Sequence, residues 1–178
     1  MGLSVIHGIV GSHGGVIIAS SQPGNGATFK VYLPVIESLL EPQIEKEEPM
    51  ATGSEYILFV DDEPALVDIG KQMLVSLGYR VTVRTGSLEA LELFKAKPNR
   101  FDLVVTDMSM PHMSGDILSA ELKAINADIP IILCTGYSAR ISAETAKRIG
   151  ISALVYKPVV MHELASTVRR VLDGDTGI

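Results

Sequence analysis

The sequence predicts an α/β fold: a doubly wound, five-stranded parallel sheet, with a small N-terminal α+β fragment ahead of it. Three observations carry that expectation. Strand-like and helix-like stretches alternate five times between residues 55 and 174, the pattern of a parallel sheet covered on both faces. Four of the five strand-like stretches are nearly continuous apolar runs, as strands buried on both faces require. An acidic, proline-bounded stretch over residues 36–54 separates this unit from the glycine-rich residues 1–35.

In chain order, Leu3, Val5, Ile6, Ile9 and Val10 fall at helical spacing, and Gly14-Gly15 ends that helix. Val16–Ser20 and Ala27–Leu33 read as strands joined by a turn over Gln22–Gly26. A helix and a hairpin bury too little surface to stand alone, so residues 1–35 are expected to be the end of a larger unit. Glu37, Glu41, Glu45, Glu47 and Glu48, with Pro42 and Pro49, then mark a linker that closes on Ala51-Thr52-Gly53-Ser54. The middle of that stretch fits a solvated surface helix equally well.

The second unit follows. Its expected strands are Tyr56–Val60, Arg80–Val83, Leu103–Thr106, Ile131–Cys134 and Ala153–Tyr156. Its expected helices are Pro64–Leu77, Ser87–Lys95, Gly115–Ala124, Ser138–Ile149 and Met161–Leu172. In the first of them Leu66, Ile69, Gly70, Met73, Leu74 and Leu77 share one face. Gly78 and Gly150 fall where two of the helices should stop.

Composition narrows the function. With 47% hydrophobic and 20% charged residues among 178, the chain is neither disordered nor fibrous. A single cysteine, Cys134, allows no internal disulfide and no cysteine-based zinc cluster, and reads as a small core residue. The net charge of -6 argues against a nucleic-acid surface. Mean hydropathy is high at +0.30, yet runs such as Val16–Ala19 and Ile129–Leu133 fall far short of the ~20 residues of a spanning helix. Met1–Val10 lacks the basic start of a secretory signal. The expectation is a soluble, cytoplasmic protein.

In an open parallel sheet, functional groups gather outside the carboxyl ends of the strands. Asp61, Asp62 and Glu63 follow the first strand, Asp107 the third, Thr135 and Gly136 the fourth, and Lys157-Pro158 the fifth. Carboxylates this close repel unless a cation neutralises them, and a hard divalent ion such as Mg2+ suits an all-oxygen set. Such an ion and Lys157 would offset the charge of a phosphoryl group, Thr135 would donate to it, and one carboxylate would be the nucleophile. A P-loop reading fails because no Gly-x-x-x-x-Gly-Lys-Ser/Thr stretch is present. His7, His13, His112 and His162 show no metal-ligand spacing, and Met108, Met110 and Met113 are expected to rim the site.

Four stretches resemble the receiver domain of two-component response regulators. They are Val60-Asp61-Asp62-Glu63-Pro64, Thr106-Asp107-Met108-Ser109-Met110-Pro111 with Met113-Ser114-Gly115, Cys134-Thr135-Gly136 and Tyr156-Lys157-Pro158. The resemblance spans residues 55–174 and implies the flavodoxin-like receiver fold. It implies Asp107 as phosphoacceptor. Asp62, Asp107 and the backbone carbonyl of Ser109 would ligate Mg2+, with Asp61 holding metal-bound water. Thr135 and Lys157 would contact the phosphoryl oxygens, across a cis Lys157-Pro158 bond. Thr135 moving inward with Tyr156 behind it would be the switch, altering the surface around the fourth helix, fifth strand and fifth helix. Ser109 and Tyr137 would flank the site and tune dephosphorylation.

The first 35 residues resemble the end of a histidine kinase ATP-binding domain. The resemblance rests on Gly2-Leu3-Ser4-Val5-Ile6-His7-Gly8-Ile9-Val10, His13-Gly14-Gly15, Pro23-Gly24-Asn25-Gly26-Ala27-Thr28-Phe29 and Tyr32-Leu33-Pro34. The order implied is that of a hybrid histidine kinase: a remnant of that domain at 1–35, a linker at 36–54 and a receiver at 55–174. A histidine kinase or a His-containing phosphotransfer domain would be the phosphodonor, and the N-terminal fragment could self-associate. The sequence contains neither the Asp-x-Gly-x-Gly box nor the phosphodonor His of that family, so kinase activity is not expected of it. Two alternatives stand: an interaction module that works without phosphorylation, and part of a full-length ATP-dependent hybrid kinase.

Overall fold

The computed structural model describes residues 2–22, 24, 26–35, 50–136 and 143–175. Its contacts divide the chain into two units, residues 1–46 and 47–178. In the first, α1 (Gly2–Ser12) leads into β1 (Val16–Gln22) and β2 (Gly26–Tyr32). These strands pair antiparallel from Val16 opposite Tyr32 to Gln22 opposite Gly26. Val10 is buried, whereas Ile9, Val16, Ile18, Phe29, Val31 and Tyr32 are exposed. Among the described residues the unit thus has little core of its own, as its size requires. Pro23 and Asn25 of the expected turn lie outside the described residues.

The second unit runs β3 (Tyr56–Val60), α2 (Pro64–Ser76), β4 (Arg80–Arg84), α3 (Ser87–Ala96), β5 (Leu103–Asp107), α4 (Gly115–Ile125), β6 (Ile131–Thr135), α5 (Ala143–Ile149), β7 (Ala153–Tyr156) and α6 (Met161–Leu172). The five strands form one parallel sheet in the order β4-β3-β5-β6-β7. Side chains alternate across it. Ile57, Phe59, Val105 and Val155 pack with Leu74 of α2 and Leu164 and Val168 of α6. Leu58, Val60 and Val104 pack on the other face with Phe94 of α3 and Leu118 and Leu122 of α4. Leu133 and Ala146 of α5 form a smaller cluster with Ile151. Each large apolar side chain so buried contributes about 1.5–3 kcal/mol.

The differences from expectation are local. β4, β5 and β6 each run one residue further, because Arg84 pairs with Val60, Asp107 with Cys134 and Thr135 with Tyr156. β4 reads Arg-Val-Thr-Val-Arg rather than as an apolar run because it is an edge strand, and only Val81 and Val83 meet the core. Gly78 and Gly150 end α2 and α5 at φ 93° and 82°, where a side chain would be strained. The fourth helix of this unit was expected over Ser138–Ile149. Residues 143–149 are helical, and residues 138–142, Tyr137 and the acidic stretch 36–49 lie outside the described residues. The strand order departs from β3 in both directions, to β4 on one side and β5 on the other. The crevice at such a switch point lies beyond the carboxyl ends of β3 and β5.

Candidate functional site

Asp61 leaves β3 into that crevice and is 3% exposed. Its Oδ1 accepts the Glu63 amide at 2.9 Å, and its Oδ2 accepts Lys157 Nζ at 2.8 Å. Asp107, the last residue of β5, is 5% exposed. Its Oδ1 lies 2.7 Å from Lys157 Nζ, and its Oδ2 accepts the Ser109 amide at 2.9 Å. Each buried carboxylate is thus held by one backbone N–H and one ammonium, which fixes both rings of hydrogen bonds before any ligand arrives. Asp62 is half-buried, and one carboxylate oxygen from each of Asp61, Asp62 and Asp107 falls within 4.8 Å of the other two.

Lys157 is set by β7 and by its amide, which donates to Thr135 O at 2.8 Å. The Lys157-Pro158 bond is cis, as the resemblance implied. Burial pushes the Lys157 ammonium down, but hydrogen bonds to Asp107 and Asp61 outweigh it and hold the group above the ordinary lysine value. The site therefore holds an ammonium between two carboxylates.

Thr135 closes β6 with 1% exposure, and its Oγ1 donates to Gly136 O at 3.3 Å. Tyr156 stands opposite Thr135 in the ladder and is 52% exposed. Ser109 is exposed. The structure thus brings Asp61, Asp62, Asp107, Ser109, Thr135 and Lys157 to one sheet edge, with Tyr156 on its rim. The methionines differ from expectation. Met110 is buried in the core between α3 and α4, Met113 packs on that same cluster, and Met108 packs on the cluster of Leu133. Their side chains are taken up by apolar clusters of the sheet faces.

Two features of the site escaped the sequence reading. Gly115 starts α4 directly against β5: its amide donates to Met108 O at 2.9 Å, and a Cβ there would lie 2.1 Å from Asp107 O. A cavity of ≈ 510 Å³ also opens beside the acids, walled by Leu66, Ile69, Met73 and Val159. The helical stripe that names three of those residues signals a core face, and nothing in it distinguishes a cavity wall.

Three carboxylates within reach of one another suit a hard cation, so the cluster is compatible with Mg2+. The response regulator receiver domain family matches residues 57–169. The chain belongs to that family.

A receiver domain from Clostridium thermocellum superposes with a TM-score of 0.65 at 30% identity, covering 67% of this chain and 95% of that one. The sensor kinase CckA of Brucella abortus is 34% identical over 183 residues, covering 97% of this chain and 19% of that protein. The sensor protein EvgS of Escherichia coli K12 is 28% identical over 167 residues, covering 92% of this chain and 14% of that protein. The chain thus spans less than a fifth of the length of these two sensor proteins. It carries a receiver domain of two-component signalling, homologous to the receiver domains of hybrid sensor kinases. No helix among the described residues of this receiver-bearing chain is long and apolar enough to cross a membrane.

Proposed function

We propose that the receiver accepts a phosphoryl group from a phosphohistidine onto Asp107. The observation that carries this reading is the Lys157 ammonium between Asp61 and Asp107, with Asp62 completing the oxygen cluster. An Asp107 carboxylate oxygen attacks phosphorus and forms the acyl phosphate bond. The P–N bond to the donor imidazole breaks, and its electron pair stays on that nitrogen. Asp62, Asp107 and the Ser109 carbonyl would hold Mg2+, with Asp61 contributing through water. Bound there, Mg2+ supplies charge neutralisation for the acids and the phosphoryl oxygens. Lys157 exchanges a carboxylate partner for a phosphoryl oxygen, and Thr135 turns its hydroxyl from Gly136 O toward another. Tyr156, opposite Thr135 and already half-exposed, then changes the surface presented to a partner.

The partners proposed are a histidine kinase or a His-containing phosphotransfer domain as donor; no nucleic acid is expected, and the proposed compartment is the cytoplasm. Residues 1–35 are read as the end of a histidine kinase ATP-binding domain, within a hybrid histidine kinase. Support comes from the two sensor proteins, whose similarity runs over 97% and 92% of the chain, well beyond the 57–169 segment. The exposed Phe29 and Val31 suit burial against further protein, a second copy of this fragment included.

The test is incubation with a small acyl phosphate or a phosphohistidine donor, with and without Mg2+. The expected product is acid-stable, hydroxylamine-labile label on Asp107, absent in Asp107→Asn and lost on chelation. Wild-type label in Asp107→Asn overturns the assignment, and no label from either donor favours an interaction module that works without phosphorylation.

A further inference from the structure

At the sheet edge opposite the acids, Gly53, Ser54 and Glu55 are built into the second unit although their composition reads as linker. The Gly53 amide donates to Leu77 O at 3.0 Å, just past the end of α2. Gly78 meets it so closely that a Cβ there would lie 2.6 Å from Gly53 O. Gly53 itself has no room for a side chain, since its Cβ would lie 2.3 Å from the Tyr79 ring and from Glu55 Oε2. The Ser54 amide donates to Glu55 Oε2 at 2.7 Å, Arg80 Nε donates to Ser54 O at 3.1 Å, and the Arg80 amide donates to Glu55 O at 2.9 Å. The remaining carboxylate oxygen of Glu55 takes Arg169 Nη1 at 2.8 Å. Arg169 lies in the last turn of α6 and also pairs with Asp173 at 2.8 Å.

One carboxylate therefore joins the chain entering the unit to its last helix. Oε2 pins the strap to its own backbone, and Oε1 pins it to α6. The two side chains are only 27% and 25% exposed, so the pair is shielded from the screening that makes surface pairs weak. We propose that Gly53–Glu55 is a strap that couples the incoming linker to the C-terminal half of α6 through Arg169. Displacing α6 loosens the strap, and lifting the strap loosens the end of α6. The coupling is reciprocal because one contact serves both elements.

Hydrogen exchange on the full chain tests it from both ends. Arg169→Met removes the link from the helix side, and protection of the Gly53, Ser54 and Arg80 amides should fall about tenfold. Gly53→Ala lifts the strap by steric contact with every charge retained, and should lower protection of the Asp173 and Gly174 amides, which close α6. The Leu118 amide in α4, bonded to Ser114 O, serves as the control and should not change. Loss confined in each variant to the mutated element overturns the proposal. So does loss of equal size at Leu118, which would report weakening of the whole unit.

Discussion

Cys134 pairs with Asp107 in the ladder, one residue before Thr135, yet its thiol belongs to the core. Burial pushes the thiol up to about 12, so at neutral pH the reactive thiolate is a fraction of about 10⁻⁵. Lys157 pulls the other way, but its charge is already spent on the two aspartates. Aromatic disulfide reagents should therefore leave the folded protein unmodified and consume one thiol only after urea unfolding. Rapid stoichiometric reaction in native buffer would show the β6 core to be open. The apolar run around Cys134 made this placement legible in the sequence. The burial of Met110 was not legible, because its neighbours Ser109 and Pro111 both face solvent and only the packing of α3 against α4 draws it inward.

Strands and helices of the receiver could be placed closely from sequence because buried parallel strands must be apolar along their whole length. The one-residue extensions of β4, β5 and β6 depend on hydrogen bonds to a neighbouring strand, which no local pattern encodes. The approach of α4 to β5 was hidden for the same reason. Gly115 reads as a helix start, whereas its role is to let α4 touch the Asp107 backbone. Gly115→Ala should cost about 1–3 kcal/mol in urea unfolding, as overpacking does. It should also slow Asp107 labelling, because Asp107 O must move; stability and labelling both equal to wild type would refute this account. On α2, Ile69 is 49% exposed on the cavity wall beside the acids. A helix of a donor protein delivering a phosphohistidine would cover it, whereas a small acyl phosphate would not. Ile69→Glu should keep folding stability within about 0.5 kcal/mol and keep labelling by acyl phosphate. Transfer from a protein donor should drop at least tenfold; equal loss with both donors would place Ile69 in the chemistry instead.

At the scale of the whole receiver unit, charge is divided between two opposite edges of the sheet. The site edge holds the acids with Lys157 between two of them, and the other edge holds the Glu55–Arg169–Asp173 set, in which one guanidinium is shared by two carboxylates. Composition could not reveal this second set, because Glu55 and Arg169 lie 114 residues apart and Gly53-Ser54 carries the small polar signature of a linker. Burial opposes ionisation of Glu55, but the hydrogen bond from Arg169, helped by backbone N–H donors, holds its carboxyl below the ordinary 4.5. A carboxyl lowered by folding contributes stability that is complete above its unfolded value and is lost as pH falls through the folded one. Wild type should therefore exceed Glu55→Gln by about 0.5–1 kcal/mol near pH 6, the range of a well-formed ion pair. The difference should shrink as pH falls from there through the lowered folded value of Glu55, below which both side chains are neutral. Urea midpoints of the two proteins across that interval decide the matter. A gap that stays constant with pH would mean that Glu55 acts through shape alone, and that its charge contributes nothing to holding α6.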